Sequence, residues 1–213
     1  MCIKRIYELY EREYKIHFVC KNNLGNYIEV NPKITKLLET NKINIQNFSD
    51  YIRFKLVNKY GGFRIDTTVL FKEHYDLNFF NKKYPFYSLN CNATRSFLYD
   101  DEDKARHCAR FFSAWKDSPI TYVFYKFFET YYEKNKTQFG YFMVDYVMFS
   151  LYKIPDLKSI FYNIPESDIN PNNIISTIKS GINPLITNIE KIEKLSNRII
   201  DDKLVEIILK KLK

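Results

Sequence analysis

Asp50 and Arg53 stand three residues apart in Ser49-Asp50-Tyr51-Ile52-Arg53, so a helix there puts a carboxylate and a guanidinium on one face, able to point at one ligand. Further along, Gly61-Gly62 uses two of the chain's five glycines side by side. Such a pair lets a helix stop with positive φ and lets a neighbour approach the backbone closely. Asp66 then follows among Phe63, Ile65 and Val69, where a carboxylate facing a core is costly unless it is paired or holds a cation. Asp50, Arg53 and Asp66 could therefore form a cation-ready nook. The bland alternatives are a helix-surface ion pair worth about 0.3 to 0.5 kcal/mol for Asp50 and Arg53, and a satisfied strand-end carboxylate for Asp66.

Other residues able to do chemistry are scattered. Asp145 is the one charge inside the apolar run Tyr141 to Tyr152, either a hydrogen-bonded core residue or a group lining a cleft. Glu193 lies in a segment rich in Lys and Glu, where a solvated face is the ordinary reading. His17, His74 and His107 have no metal-site spacing, and Cys2, Cys20, Cys91 and Cys108 include no C-x-x-C pair, which reads as reduced thiols in a cytosolic protein. Trp115, Phe111 and Phe112 could stack a sugar, although aromatics at this density usually form core. Asp100-Asp101-Glu102-Asp103, with Lys104, Arg106 and Arg110, reads as a solvated loop and helix start.

The elements that must position these groups follow from periodicity. Ile3, Ile6, Tyr7, Tyr10 and Tyr14 predict a first helix, and Lys15 to Val19 alternates like a strand. Asn22 to Asn26 reads as a loop, and Pro32 opens a helix through Leu38. Ser49 is the predicted N-cap of a helix from Asp50 to Tyr60, with Ile52, Leu56 and Tyr60 on one face and Gly61-Gly62 as its stop. Phe63 to Phe71 is a strong strand candidate. Helices are predicted over Ile120 to Glu133 and Tyr141 to Tyr152, irregular chain from Asn163 to Asn188, and a short amphipathic helix over Asp201 to Lys213. Helix and strand alternation at the front argues for an α/β domain with a largely parallel sheet.

Composition bounds the partners. The 213 residues, 46% apolar and 27% charged, describe a globular domain that needs no disulfide or structural metal to hold its core. No uncharged stretch is longer than the eleven residues Tyr84 to Thr94, too short to span a bilayer. Met1 to Tyr14 carries six charged side chains from Lys4 to Glu13 and offers no apolar signal-peptide core. A net charge of +8 favours anionic partners. Nucleic acid is the weakest of these, because the acidic cluster argues against a binding groove there. Lys210, Lys211 and Lys213 read as a solvated helix end, or as a peripheral contact with anionic lipid headgroups.

The stretch Ser49 to Val69 resembles the signature of glycosyltransferase family 32 and, more closely, of the bacterial capsular polysaccharide synthesis proteins. In these a Ser-Asp-x-x-Arg helix leads through Tyr-Gly-Gly into a strand ending in an Asp-x-Asp or Asp-Ala-Thr type motif. Here the pattern is Asp50, Arg53, Gly61-Gly62 and Asp66-Thr67-Thr68. A looser likeness continues through Phe112-Ser113-Ala114, Tyr141-Phe142 with Asp145, and Ile192-Glu193-Lys194-Leu195-Ser196.

The resemblance implies an α/β GT-A-like fold that moves a sugar from a UDP- or GDP-sugar to a surface polysaccharide or glycolipid acceptor. It implies retention of configuration, assistance by Mn²⁺ or Mg²⁺, and work at the cytoplasmic side of the membrane. Asp50 and Arg53 would contact the donor, Gly61 and Gly62 would let the nucleotide approach, and Asp66 would bind its ribose, the metal or both. Thr68 stands where many relatives have a second Asp, Glu193 where a His ligand is common, and Asp145 is the candidate catalytic group. Relatives begin with a strand and a Trp-containing loop, whereas this sequence opens in the following helix, so the expected fold lacks its first strand. Residues 1–162 form the expected donor-binding and catalytic domain, and residues 163–213 an irregular segment and helix completing the same domain. The alternative is a degenerate, non-catalytic glycosyltransferase-like binding module.

Overall fold

The computed structural model describes residues 2–71, 73–91, 107–140, 143–164, 166–167 and 192–194. Helix α1 (Cys2–Tyr10) buries Cys2, Ile6 and Tyr10, one stripe of its apolar residues. Lys15 to Val19, expected as a strand, forms no ladder with any described residue. Alternation makes a segment fit for pairing, but the hydrogen bonds must come from a neighbour. Helix α2 (Pro32–Glu39) starts as expected, with Pro32 in its first turn and Asn31 accepting a hydrogen bond from the Lys33 N–H at 2.9 Å.

Helix α3 (Ile45–Tyr60) begins earlier than Asp50, because Asn44 and not Ser49 is its N-cap, with Asn44 Oδ1 accepting from the Asn47 N–H at 2.8 Å. Ser49 instead lies within the helix and receives a hydrogen bond from Arg53. Gly61 ends α3 at φ +70° and ψ −169°, a region essentially reserved for glycine. A Cβ added there would sit 2.9 Å from the backbone nitrogen of Lys116.

The run expected as a single strand divides into β1 (Gly62–Ile65) and β2 (Val69–Phe71), separated by a turn at Asp66-Thr67-Thr68. Helix α4 (Asn78–Lys83), β3 (Phe86–Cys91) and β4 (His107–Ala114) follow. Arg110 therefore belongs to a strand, not to a solvated helix start. Helices α5 (Pro119–Lys134) and α6 (Met143–Tyr152) match their periodicity. Pro155 starts α7 (Pro155–Tyr162), at the position where a missing N–H costs least. Two short strands complete the list, β5 (Glu166–Ser167) and β6 (Ile192–Lys194). The acidic cluster at Asp100 to Asp103, Tyr141-Phe142 and the helix expected over Asp201 to Lys213 lie outside the described residues, as does most of the irregular segment.

The main sheet has the order β1-β4-β3-β5, and β2 pairs with β6 separately. β4 runs antiparallel to both β1 and β3, β2 is antiparallel to β6, and only β3 and β5 are parallel. This corrects the expectation of a largely parallel sheet. Apart from the short α4, the described helices lie before β1 or after β4, whereas parallel neighbours require a crossover between consecutive strands of one sheet. The class that stands is a mixed helix and sheet arrangement. Its core is aromatic: the ring of Phe54 on α3 stacks on Phe124 of α5 at 4.0 Å and on Phe112 of β4 at 4.7 Å, all three fully buried. This sandwich sets the height of α3 above the sheet.

Candidate functional site

Arg53, Arg64 and the Asp66 turn meet at one end of β4. Two successive carbonyls, those of Ala109 and Arg110, gather them. Arg53 Nη1 donates to the Ala109 carbonyl at 2.9 Å, and Arg64 Nη1 donates to the Arg110 carbonyl at 3.0 Å. The Arg110 carbonyl also accepts from the Asp66 N–H at 2.8 Å. The register makes this unavoidable: Ile65 lies opposite Phe111, so the next residue of each strand brings Asp66 beside Arg110.

On α3, Asp50 and Arg53 do share a face, with Arg53 Nη1 3.1 Å from Asp50 Oδ1. Both residues are buried, at 3% and 6% exposure. The guanidinium is largely spent inside the protein, since Nε donates to the Ser49 carbonyl and Nη2 to Ser49 Oγ. Asp50 Oδ1, by contrast, receives no hydrogen bond and relies on the ionic contact. Burial pushes the Asp50 carboxyl up to about 6, against the pull of Arg53 and then of Arg64, with Asp145 and Asp66 adding repulsion. Five ionisable groups from α3, β1, the turn and α6 thus share one field.

Asp66 is only partly buried. Its Oδ1 accepts from the Thr68 N–H at 3.3 Å and from Thr68 Oγ1 at 3.2 Å, and its carbonyl accepts from the Val69 N–H at 2.9 Å. Thr68 therefore shapes the turn that presents the carboxylate. Arg64 Nη1 lies 3.5 Å from Asp66 Oδ2. Burial, and next the charge of Arg53, push the Arg64 guanidinium down to about 10, while Asp66 and Asp50 favour its charge. Burial raises the Asp145 carboxyl, with a backbone hydrogen bond at Asp145 and then Arg110 pulling the other way.

Arg64 and Arg110 are the members that sequence reasoning missed. The signal for Arg64 was present, because alternation on β1 puts residues 64 and 66 on the same side. Arg110 carried no such signal, since its strand pairing is non-local. Glu193 sits on β6 directly opposite Leu70, two positions beyond Thr68 along β2. Trp115 lies elsewhere, half exposed, with its indole N–H on the Asn81 carbonyl. Among the described residues, no three His, Cys, Asp or Glu side chains come together in a way that could hold a metal ion.

A cavity of about 330 Å³ runs beside the motif, walled by Tyr7, Tyr10, Phe18, Gly62, Phe63 and Thr67. Gly61 and Gly62 both line it, whereas Asp50, Arg53 and Asp66 do not. Gly62, at φ +89°, has open space where a Cβ would stand, so the backbone there is bare toward the cavity. The cavity is largely apolar and aromatic and reaches the Asp66-Thr67-Thr68 turn at Thr67.

Residues 1–212 match the family described as capsular polysaccharide synthesis protein. The chain belongs to this family. The match takes in every element described above and ties the chain to capsular polysaccharide synthesis. No curated protein and no solved structure matches the chain. Among the described residues, no helix of this capsular polysaccharide synthesis protein is long and apolar enough to cross a membrane.

Proposed function

We propose that the chain is a glycosyltransferase, moving a sugar from a nucleotide-diphosphate donor (UDP- or GDP-linked) to a surface polysaccharide or glycolipid acceptor with retention of configuration. The observation that carries this reading is the convergence of Arg53, Arg64 and the Asp66 N–H on the Ala109 and Arg110 carbonyls, with Asp50 paired to Arg53, beside an aromatic cavity lined by Gly61 and Gly62. The cavity takes the nucleoside, with Gly61 and Gly62 admitting it, and the diphosphate faces the β1 end and the Asp66 turn. The action takes place at the cytoplasmic side of the membrane, where a basic surface can make peripheral contact with anionic headgroups.

In the transfer, the bond from the sugar's anomeric carbon to the diphosphate oxygen breaks with its electron pair going to that oxygen. A new bond then forms to an acceptor hydroxyl oxygen, whose proton leaves. Charge developing on the diphosphate is met by Arg64, the more open of the two paired arginines. Arg53 and Asp50 brace α3 against β4 and hold the Ala109 carbonyl in place. Asp145, whose carboxyl burial raises, is the group we assign to proton traffic at the acceptor, taking up the hydroxyl proton.

Asp66 and Thr68 are hard oxygen donors that fit a divalent cation bringing phosphate and water ligands of its own, the usual habit of Mg²⁺, with Glu193 as a further donor. Mn²⁺ or Mg²⁺ bound there would supply Lewis-acid stabilisation of the departing diphosphate.

The test is to titrate the full chain with UDP- and GDP-sugars, with and without Mn²⁺, and follow the melting temperature. A metal-dependent rise with at least one donor is expected, and no rise with any donor would overturn the reading. A rise that survives in Asp66→Ala would remove that residue from the role. The second reading, a non-catalytic binding module, is favoured by the internal saturation of Arg53 and predicts donor stabilisation with no sugar transfer or hydrolysis.

A further inference from the structure

The loop between α5 and α6 carries an aromatic cluster that faces outward. Phe139, 48% exposed, sits among the rings of Tyr131 at 5.3 Å, Tyr146 at 5.5 Å and Phe127 at 6.4 Å, and Tyr146 is itself 43% exposed. Ile45, 68% exposed at the start of α3, stands beside this loop, because the neighbouring Asn44 N–H donates to Gln138 Oε1 at 2.8 Å. We propose that this face docks on an anionic lipid bilayer. The proposal rests on the peripheral membrane contact in the reading above and assigns it a face, and its test needs no sugar donor.

Cationic side chains border the rings. Lys134 and Lys136 are exposed on either side of Asn135, and Lys153 is exposed about two turns beyond Tyr146 along α6. Lys153 Nζ lies 4.7 Å from the centre of the Phe149 ring, which at 100° per residue shares the Tyr146 side of that helix. Glu133, the last acid of α5, is exposed next to Lys134, so the lysines outnumber it, and the whole chain carries +8. A protein partner fits this composition poorly, since the cores of protein interfaces are depleted in Lys. Rings that enter the headgroup layer, with lysine stems reaching up to its phosphates, are the pattern of a membrane interface.

The loop is held in place before any partner arrives. The Tyr131 hydroxyl donates to the Thr137 carbonyl at 3.1 Å, Asn135 Nδ2 donates to the Tyr131 carbonyl at 2.9 Å, and Gln138 is tied to the start of α3. Phe139 therefore loses little freedom when it enters the headgroup layer, which favours docking. Asp145 precedes Tyr146 on α6 and shares the field of Asp50 and Arg110. Docking thus brings that group within about 10 Å of the headgroups, the width of one helix, where a glycolipid acceptor presents its hydroxyl.

Flotation of the full chain with vesicles tests the proposal, using phosphatidylcholine alone and phosphatidylcholine with about 30% phosphatidylglycerol. Binding to the anionic vesicles only is expected, and it should fall steeply as salt rises from about 0.1 M to about 0.5 M. Phe139→Ser and Tyr146→Ser should each weaken it about tenfold through lost ring insertion. Lys134→Gln and Lys136→Gln should each weaken it about fivefold. Tyr122→Ser, which removes an exposed ring at the other end of α5, should bind as wild type does. Should a ring variant fail to fold, the exposed lysine variants carry the comparison. The proposal is overturned by no binding to anionic vesicles, by equal binding to neutral ones, or by binding that survives all four substitutions, as it would if Lys210, Lys211 and Lys213 carried it. A concentration-dependent dimer that Phe139→Ser dissolves, in place of vesicle binding, also overturns it and makes a second copy the occupant. Melting shifts with donor in the absence of vesicles test the transfer reading separately.

Discussion

Arg53 Nη1 lies 3.1 Å from Asp50 Oδ1 in the interior, yet Asp50 Oδ1 accepts no hydrogen bond, so the buried carboxylate is only partly compensated. Its carboxyl is raised from 3.8 to about 6. The folded state therefore binds this proton more tightly than the unfolded state does. Between about pH 4 and pH 6 the contribution of Asp50 to stability falls as pH rises, and the full cost is in place above the folded value. A rise of that size corresponds to roughly 3 kcal/mol. Asp50→Asn removes the titration, so urea melts of wild type and variant should differ more in wild type's favour near pH 4 than near pH 7. A difference independent of pH would show that Asp50 titrates normally.

Gly61 and Gly62 both hold positive φ, but their surroundings differ. Gly61→Ala meets the Lys116 backbone nitrogen at 2.9 Å, a group that cannot swing away, whereas Gly62→Ala meets nothing within 4 Å. The backbone conformation costs about 1 to 3 kcal/mol at each site, and only Gly61 adds a clash. Denaturant midpoints should rank wild type above Gly62→Ala above Gly61→Ala. For donor binding the order reverses in meaning, because a methyl on Gly62 occupies open cavity and should weaken donor stabilisation while leaving most of the fold intact.

Phe54 lies between Phe124 and Phe112 at 4.0 and 4.7 Å. Phe54→Ala should cost about 3 to 5 kcal/mol, the range for a large buried aromatic, and Phe54→Leu clearly less. Because the same sandwich sets α3 against β4, Phe54→Leu should also weaken donor stabilisation through the Arg53 contact with Ala109. Thermal melts with and without donor separate the two effects.

The parts of the fold legible in the sequence were those coded locally. The stripe Ile120, Phe124, Phe128 foretold α5, and Gly61-Gly62 foretold the end of α3, because periodicity and positive φ belong to neighbouring residues. The start of α3 was misplaced since Ser49 and Asn44 are both competent caps, and only the Asn44 contact with the Asn47 N–H decides between them. Strand pairing was not legible: nothing local tells β1 to choose β4, and Lys15 to Val19 alternates as well as any strand that does pair. The site followed the same rule. Asp50, Arg53 and Asp66 were found by spacing, while Arg110 became visible only when β4 brought its carbonyl to Asp66.

Arg64 and Asp66 give the sharpest test of the site, because they face each other across 3.5 Å and both remain partly open. If Arg64 meets the charge that develops on a departing diphosphate, Arg64→Gln should lower kcat by about 10²-fold, with a smaller change in KM, since the interaction strengthens in the transition state. Arg64→Lys keeps the charge but loses the planar guanidinium whose Nη1 meets both the Arg110 carbonyl and Asp66, so it should restore only part of the rate. Thr68→Val removes a hydrogen bond from Asp66 Oδ1 without emptying space, and should loosen the turn by about 1 kcal/mol. If Asp66 presents a cation to the donor, that loosening should appear as a higher Mn²⁺ requirement at unchanged saturating rate. An Arg64→Gln enzyme with wild-type kcat would move the charge-stabilising role elsewhere on the β4 end, where Arg110 is a further cation that acts on Asp145.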